Sequence, residues 1–504
     1  MEGVGTHPLA GRLSCPRPLT LPSIGDVRVR EPRMTKTSES IGGETMKKFA
    51  TAAMGLAAMF VGANALAKVP QAEADRLGRD LTAVGGIKAG NADGTIPAYD
   101  GGLTKPPAGY TPGSHLVDPF AGDKPVATIT AQNAGQYAAR LTAGQQAMLK
   151  LYPNFKMPVY QTRRSCSLPE RVYEATKKNA VTATMTEDQN GLNDALLGVP
   201  FPLPKNGVEA IWNHRLRYRG FKFRRFFGSA AVNGNGSYIM FKNQDEGIIH
   251  YSGPGLAQIG DVTDIKQLNN IGISYLNITT APARLAGSII LVHDTINAKE
   301  LPRQAWQYNP GTRRVLRAPE LSYANPLINT DGLATTDQFD MYNGATDRYT
   351  FDLKPSQEIY LGYNAYKLAS DKVTYKDMLT PNHLNQDFAR YELHRAVVVD
   401  AKLKEGAQHV YARRTFYLDE DSWNIVSVDL YDTRGQLWRV QDGPMINYYD
   451  LPLCSSALEV TYDLQSGRYV VFGLKNEEKM LDWNASDVDP ARFTPDAIRR
   501  LGQR

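Results

Sequence analysis

Residues 409–441 read HVYARRTFYLDEDSWNIVSVDLYDTRGQLWRVQ, and the fold class turns on this stretch. His409 to Leu418 is a run suited to a strand, Asp419-Glu420-Asp421 is an acidic turn, and Asn424 to Tyr431 comes back. In the returning run Val426, Val428 and Leu430 face one way while Ser427 and Asp429 face the other. Asp432-Thr433-Arg434-Gly435 then turns the chain into Gln436 to Gln441. A period of two between turn residues marks antiparallel strands with one face against a core and one toward water.

The same grammar extends in both directions. Glu459 to Tyr462 and Arg468 to Leu474 form a hairpin around Gln465-Ser466-Gly467. Gly287 to Ile296 is a β-branched run long enough for one strand. Arg303 to Tyr308 alternates, with Gln304, Trp306 and Tyr308 on one face. Asn309-Pro310-Gly311-Thr312 offers Pro and Gly where a tight turn prefers them, and Arg313 to Arg317 returns. Consecutive hairpins predict an antiparallel meander, hence a mainly β (α+β) fold. Helices are expected over Asn133 to Tyr152, stopped by Pro153, and over Thr494 to Leu501, which opens with Thr-Pro-Asp. Ahead of them, residues 68–125 are rich in Gly and Pro and read as an extended arm, apart from a short helix near Ala72 to Gly78.

An export signal is expected near the start. Met46-Lys47-Lys48 is a basic n-region, Phe49 to Ala63 is uncharged and apolar or small, and Ala65-Leu66-Ala67 is a cleavage pattern. The apolar core falls short of the roughly 20 residues a bilayer needs. Residues 1–45 precede this complete signal and read as an upstream extension of the gene, 46–67 as the signal peptide, and 126–504 as one large domain. The first 67 residues hold 8 of the 57 Lys and Arg and 5 of the 52 Asp and Glu, so the remaining 437 carry a net charge of only +2. Near-neutral, interspersed charge provides no reason to expect nucleic acid as a partner. No other apolar stretch approaches spanning length. Cys166 and Cys454 remain after cleavage, and an oxidising envelope permits a disulfide between them; two buried free thiols are the alternative.

Catalytic motifs are absent: no Gly-x-Ser-x-Gly, His-Glu-x-x-His, Gly-x-x-x-x-Gly-Lys or Gly-x-Gly-x-x-Gly occurs. Asn91-Ala92-Asp93-Gly94 with Asp100 resembles part of a calcium loop, but Ala89 would be its first ligand, so a turn is expected. No catalytic residue, metal or cofactor is assigned. His214 is the best lone acid/base candidate, yet no carboxylate accompanies it locally. Trp212 to Phe227 reads as a strand, with Asn213, Arg215, Arg217 and Arg219 on one face and Trp212, His214, Leu216 and Tyr218 on the other. Three Arg in a row beside aromatic residues suit an anionic headgroup; an ordinary half-exposed strand is the bland alternative. Trp306, Tyr308, Trp423 and Trp438 fill a core by default and line an apolar cavity on the sharper reading. The candidate ligand-binding set is therefore Trp212, His214, Arg215, Arg217, Arg219, Trp306, Tyr308 and Trp438.

Several motifs together carry a family resemblance. Ala74-Asp75-Arg76-Leu77-Gly78, Ala89-Gly90-Asn91-Ala92-Asp93-Gly94-Thr95-Ile96-Pro97 and Val159-Tyr160-Gln161-Thr162-Arg163-Arg164 open the set. Glu209-Ala210-Ile211-Trp212-Asn213-His214, Ala305-Trp306-Gln307-Tyr308-Asn309-Pro310-Gly311-Thr312 and Tyr431-Asp432-Thr433-Arg434-Gly435-Gln436-Leu437-Trp438-Arg439 complete it. The chain resembles, from about Ala74 to its end, the proteobacterial domain of unknown function 1329 family, often labelled outer-membrane lipoprotein-sorting-protein-like. The resemblance implies a strongly curved antiparallel sheet forming an incomplete barrel, with helices plugging the concave face and a cavity suited to acyl chains. It also implies a periplasmic place of work, with a resistance-nodulation-division exporter or outer-membrane protein as candidate partner. The function expected is a non-enzymatic carrier or chaperone for a lipid, a lipoprotein acyl chain or another hydrophobic compound. The alternative is an interaction module of an envelope transport complex, docked through the 68–125 arm.

Overall fold

The computed structural model describes residues 69–503 apart from 254–261, 320, 322 and 484. The expected extension (1–45) and signal peptide (46–67) lie outside the described residues. Fifteen strands form one sheet. They are β1 (Ala127–Ile129), β2 (Met157–Val159), β3 (Lys222–Val232), β4 (Tyr238–Ile249) and β5 (Ile271–Ala281). Next come β6 (Ile289–Thr295), β7 (Gln304–Asn309), β8 (Arg314–Arg317), β9 (Tyr349–Gly362) and β10 (Tyr391–Leu403). The last five are β11 (Arg413–Asp419), β12 (Ile425–Tyr431), β13 (Leu437–Asp442), β14 (Glu459–Asp463) and β15 (Tyr469–Leu474).

The order across the sheet is β1-β2-β10-β11-β12-β13-β14-β15-β3-β4-β5-β6-β7-β8, with β9 also on β10. Residues 413–442 thus hold β11 to β13, three neighbours in chain order. Pairing is antiparallel except for one parallel bridge between Tyr391 and Val159. The two halves of the chain meet where β15 pairs with β3, Val470 opposite Ala231. The ends of the sheet do not pair, so it stays open. β9 shifts register between Lys354 and Gln357. Pro355 sits in that bulge, on an edge strand, where a missing N–H breaks no ladder bond.

The longer helices among the described residues are α1 (Ala143–Leu151), α2 (Glu170–Thr182), α3 (Gly207–Leu216) and α4 (Pro495–Gly502); α1, α3 and α4 pack on the sheet, and α2 packs against the arm around Ala74 and Leu77. Two sequence expectations need correcting. The helix expected over Asn133 to Tyr152 is broken: Ala134–Tyr137 and a 3-10 turn at Ala138–Arg140 precede α1. Thr142 restarts the helix with a capping box to Gln145, and local capping outweighs the continuous apolar face. The strand expected over Trp212 to Phe227 is α3 followed by β3. Asn206 caps α3 by accepting from the Glu209 N–H at 3.0 Å. Trp212, Asn213 and His214 are all buried, so α3 has no polar stripe, and alternation masqueraded as a strand.

The Gly/Pro-rich arm lies along the protein and is pinned to it. Trp423 donates its indole N–H to the Val84 carbonyl at 2.9 Å. Arg164 donates to the carbonyls of Ile87, Lys88 and Pro97, and Arg395 to that of Ala89. The calcium-like loop is closed by its own side chains: Asn91 accepts from the Ile96 N–H, and Asp93 pairs with Arg140. Just beyond the arm's contacts, Cys166 and Cys454 form a disulfide with Cα atoms 5.8 Å apart, buried among Ile359, Leu361 and Met445. Among the described residues no helix is long and apolar enough to cross a membrane.

Candidate ligand cavity

Side chains alternate across a strand, and β6 uses both faces. Ile289 and Leu291 pack with Ile498 of α4 and Phe493 on one side. Ile290 and Val292 point the other way, into a cavity of about 260 Å³. Neighbouring strands supply the rest of that wall: Phe227 from β3, Tyr275, Asn277 and Thr279 from β5, and Phe472 from β15. The C-terminal end of α3 with the loop after it (Arg215, Leu216, Arg219), and the loop carrying Leu321 to Asn343, face this wall. An apolar floor with a few polar groups has the usual make-up of a small-molecule site, and the volume falls just below the roughly 300–1,000 Å³ such sites span.

The polar groups are unevenly matched. Arg225 pairs with Asp245 at 2.6 Å, and Tyr275 donates to the same carboxylate at 2.9 Å. Arg303 pairs with Asp294 at 3.2 Å. Arg217 and Arg219 both donate to Asp340. Burial alone would raise Asp340, but Arg217 and then Arg219 hold it well below the usual carboxylate range. Glu459, on the opposite wall, is pushed up to about 7 by burial and then by the charge of Asp340.

Of the eight residues expected to bind ligand, Arg215 and Arg219 line the cavity. His214 is fully buried: its Nδ1 lies 3.1 Å from both the Ile425 nitrogen and the Trp423 carbonyl, and its Nε2 lies 2.9 Å from the Asp340 carbonyl. Burial, then Arg217, lowers its pKa to about 3, so it is a neutral structural histidine. Trp212 is buried with its indole N–H on the Gln189 carbonyl, and Arg217 is spent on Asp340 and Asn424. Trp306 and Tyr308 share the face of β7 that α4 covers; Tyr308 donates to the Gly502 carbonyl at 2.9 Å. Trp438 donates to Asp463 and stacks on Arg439, away from the cavity. The residues that sequence reasoning missed are the inward positions of β3 to β6. Phe223, Arg225 and Phe227 do alternate, as do Tyr275, Asn277 and Thr279, but polar residues on an inward face read as a solvent face.

A second cluster of charge lies where the arm docks. The acidic turn Asp419-Glu420-Asp421 is buried rather than exposed. Arg164 grips both oxygens of Asp421, at 2.8 and 2.7 Å, and reaches Glu420. Ligand atoms of His394, Asp419 and Asp421 come within 4.8 Å of one another, the spacing of a metal group. With Arg164 occupying Asp421, the cluster works as an ion-pair lock for the arm.

Residues 128–499 match the model of a family described as a protein of unknown function, DUF1329. The chain belongs to this family. An uncharacterised protein of Pseudomonas aeruginosa is 45% identical over 458 residues, spanning 89% of this chain and 97% of that one. A DUF1329 family protein from Desulfovibrio piger has a solved structure that aligns over 57% of this chain and 95% of its own, with a TM-score of 0.39 and 13% identity. A LolA superfamily protein from Nitrosomonas europaea aligns over 56% of this chain and 94% of its own, with a TM-score of 0.33 and 13% identity.

Proposed function

We propose that this DUF1329 protein is a periplasmic carrier or chaperone that shelters a hydrophobic compound, such as a lipid or an acyl chain, during transfer across the envelope. The observation that carries this reading is the cavity on the inner face of β3 to β6, whose floor of Phe227, Ile273, Ile290 and Val292 is apolar although it is not filled by the chain's own core. Burying an acyl chain there gains about 0.8 kcal/mol per methylene, enough for useful affinity without covalent chemistry. The reading assigns no catalytic step, since His214 is neutral and enclosed. An exporter or outer-membrane protein would be the donor or acceptor.

A docking module that works through the 68–125 arm is less well supported. Carbonyls of the arm between Val84 and Pro97 are already taken by Trp423, Arg164 and Arg395, so they are not free for a partner. Native mass spectrometry with organic extraction, on protein purified from the periplasm without detergent, tests the carrier reading. A bound, extractable apolar compound is the expected result. Protein that is empty and remains so when challenged with envelope lipids would sink it.

A further inference from the structure

The cavity holds more positive charge than the chain neutralises. Arg225 is matched by Asp245 and Arg303 by Asp294, while Arg217 and Arg219 share the single carboxylate of Asp340. Lys475 donates to the Tyr448 hydroxyl at 2.8 Å, and Glu459 is the carboxyl pushed toward its neutral form. Arg215 is left over. It has no ion pair among the described residues, and its guanidinium lies over the Trp212 ring at 4.3 Å. Its Nη2 reaches the Thr295 carbonyl only at 3.5 Å. Its Nη1 is shielded from solvent and has no hydrogen-bond partner.

Two further groups beside it are in the same state. Thr295 Oγ1 and Arg219 Nε also lack partners, and both residues line the cavity. Arg219 donates to the Arg215 carbonyl at 3.1 Å, which brings the two side chains to one end of the cavity. A half-buried cation whose nearest carboxylate, Asp294, is spent on Arg303 is costly unless something completes it. The fork of a guanidinium is the group best shaped to accept a carboxylate or phosphate through charge-assisted bonds.

We propose that Arg215, with Thr295 and Arg219, is an anion-binding subsite, and that the ligand is an amphiphile with one carboxylate or phosphate headgroup and an apolar tail. This deepens the carrier reading and rests on it. The headgroup receives the open donors of Arg215 and the Thr295 hydroxyl, and the tail runs along the strands past Ile290 and Val292. A neutral amphiphile of equal length leaves Arg215 unpaired and gains only the tail's burial.

Dodecanoate, dodecyl phosphate and dodecanol, each titrated below its micelle concentration into delipidated protein, test this. Trp483, in the cavity wall, reports by fluorescence and calorimetry gives the affinity. At least one anionic probe is expected to bind about ten-fold or more tighter than dodecanol, as charged hydrogen bonds allow, and the tighter of the two identifies the headgroup. Arg215→Gln should erase that gap while leaving dodecanol within about two-fold, Arg215→Lys should keep part of it, and Thr295→Val should narrow it. Equal affinities for all three probes, or an unchanged gap in Arg215→Gln and Thr295→Val, would overturn the subsite while leaving an apolar carrier standing. Binding of none of them would overturn the carrier reading and the subsite together.

Discussion

Arg164 shows how much one side chain can organise. Its guanidinium binds Asp421 through two atoms, reaches Glu420, and spends its remaining donors on the carbonyls of Ile87, Lys88 and Pro97. Removing it strands the buried Asp421 carboxylate and leaves Glu420 to Arg395 alone, a loss on the order of 3–5 kcal/mol. We expect Arg164→Met to lower the denaturant midpoint accordingly, and Arg164→Lys to recover little, because an ammonium cannot span that fork. An unchanged midpoint for Arg164→Met would refute the lock. Beside it, burial and then the charge of Asp421 push Asp419 up to about 7, and its Oδ1 has no hydrogen bond, with His394 Nδ1 3.9 Å away. A carboxyl with a raised folded pKa holds a proton that the unfolded chain releases near pH 4. Its contribution is therefore full below about pH 4 and is lost as pH rises through 7. Thermal unfolding should show Tm falling between about pH 4 and 7, and Asp419→Asn should make the fall shallower, with Glu459 accounting for part of what remains. An equally steep fall in that variant would assign the slope to other groups.

At the scale of elements, the arm is held as much by shape as by charge. Gly85 has φ of +101°, and a Cβ there would sit 1.8 Å from the Pro202 carbonyl oxygen. Both features exclude alanine, at a cost of at least ~1–3 kcal/mol for the backbone conformation alone. Gly85→Ala should speed hydrogen exchange over residues 84–97 and leave β11 to β13 protected; uniform protection in both would mean the arm is not separately held. The arm's coil character was legible from its Gly and Pro, and the β11–β12–β13 meander from its period of two. The hairpin β7–β8 was legible from Asn309 to Thr312. What the sequence hid had a common cause in burial by distant partners. Asp419-Glu420-Asp421 reads as a solvated turn because Arg164 and Arg395 stand more than 250 and about 25 residues away, as the contacts to Glu420 record. α3 reads as a strand because every face is enclosed. Arg215 and Arg219 line the cavity from the end of a helix and the loop after it, not from the strand face on which the sequence pattern places them.

The described residues, from 69 onward, are interlocked rather than assembled from two halves. β15 pairs with β3, the Cys166–Cys454 disulfide joins positions 288 residues apart, and the closing segment covers β6 and β7 near one end of the sheet. That last contact is the most exposed to test. α4 and the turn before it lay Ile498, Phe493 and Val488 over Ile289, Leu291 and Tyr308. Gly502 is fitted so closely that a Cβ would come within 2.1 Å of the Tyr308 ring. The opposite faces of the same strands carry Ile290 and Val292, so the cavity floor and the outer layer share one backbone. Deleting residues 485–504 uncovers several side chains whose burial contributes roughly 1.5–3 kcal/mol each. The truncated protein should bind a hydrophobic dye, unfold at a markedly lower denaturant concentration, and lose affinity for apolar probes as β6 and β7 loosen. If it unfolds at the midpoint of the full chain yet still loses the probe, the closing segment governs the cavity without stabilising the sheet. If it keeps both, the outer layer is dispensable and the sheet holds its curvature through strand pairing alone.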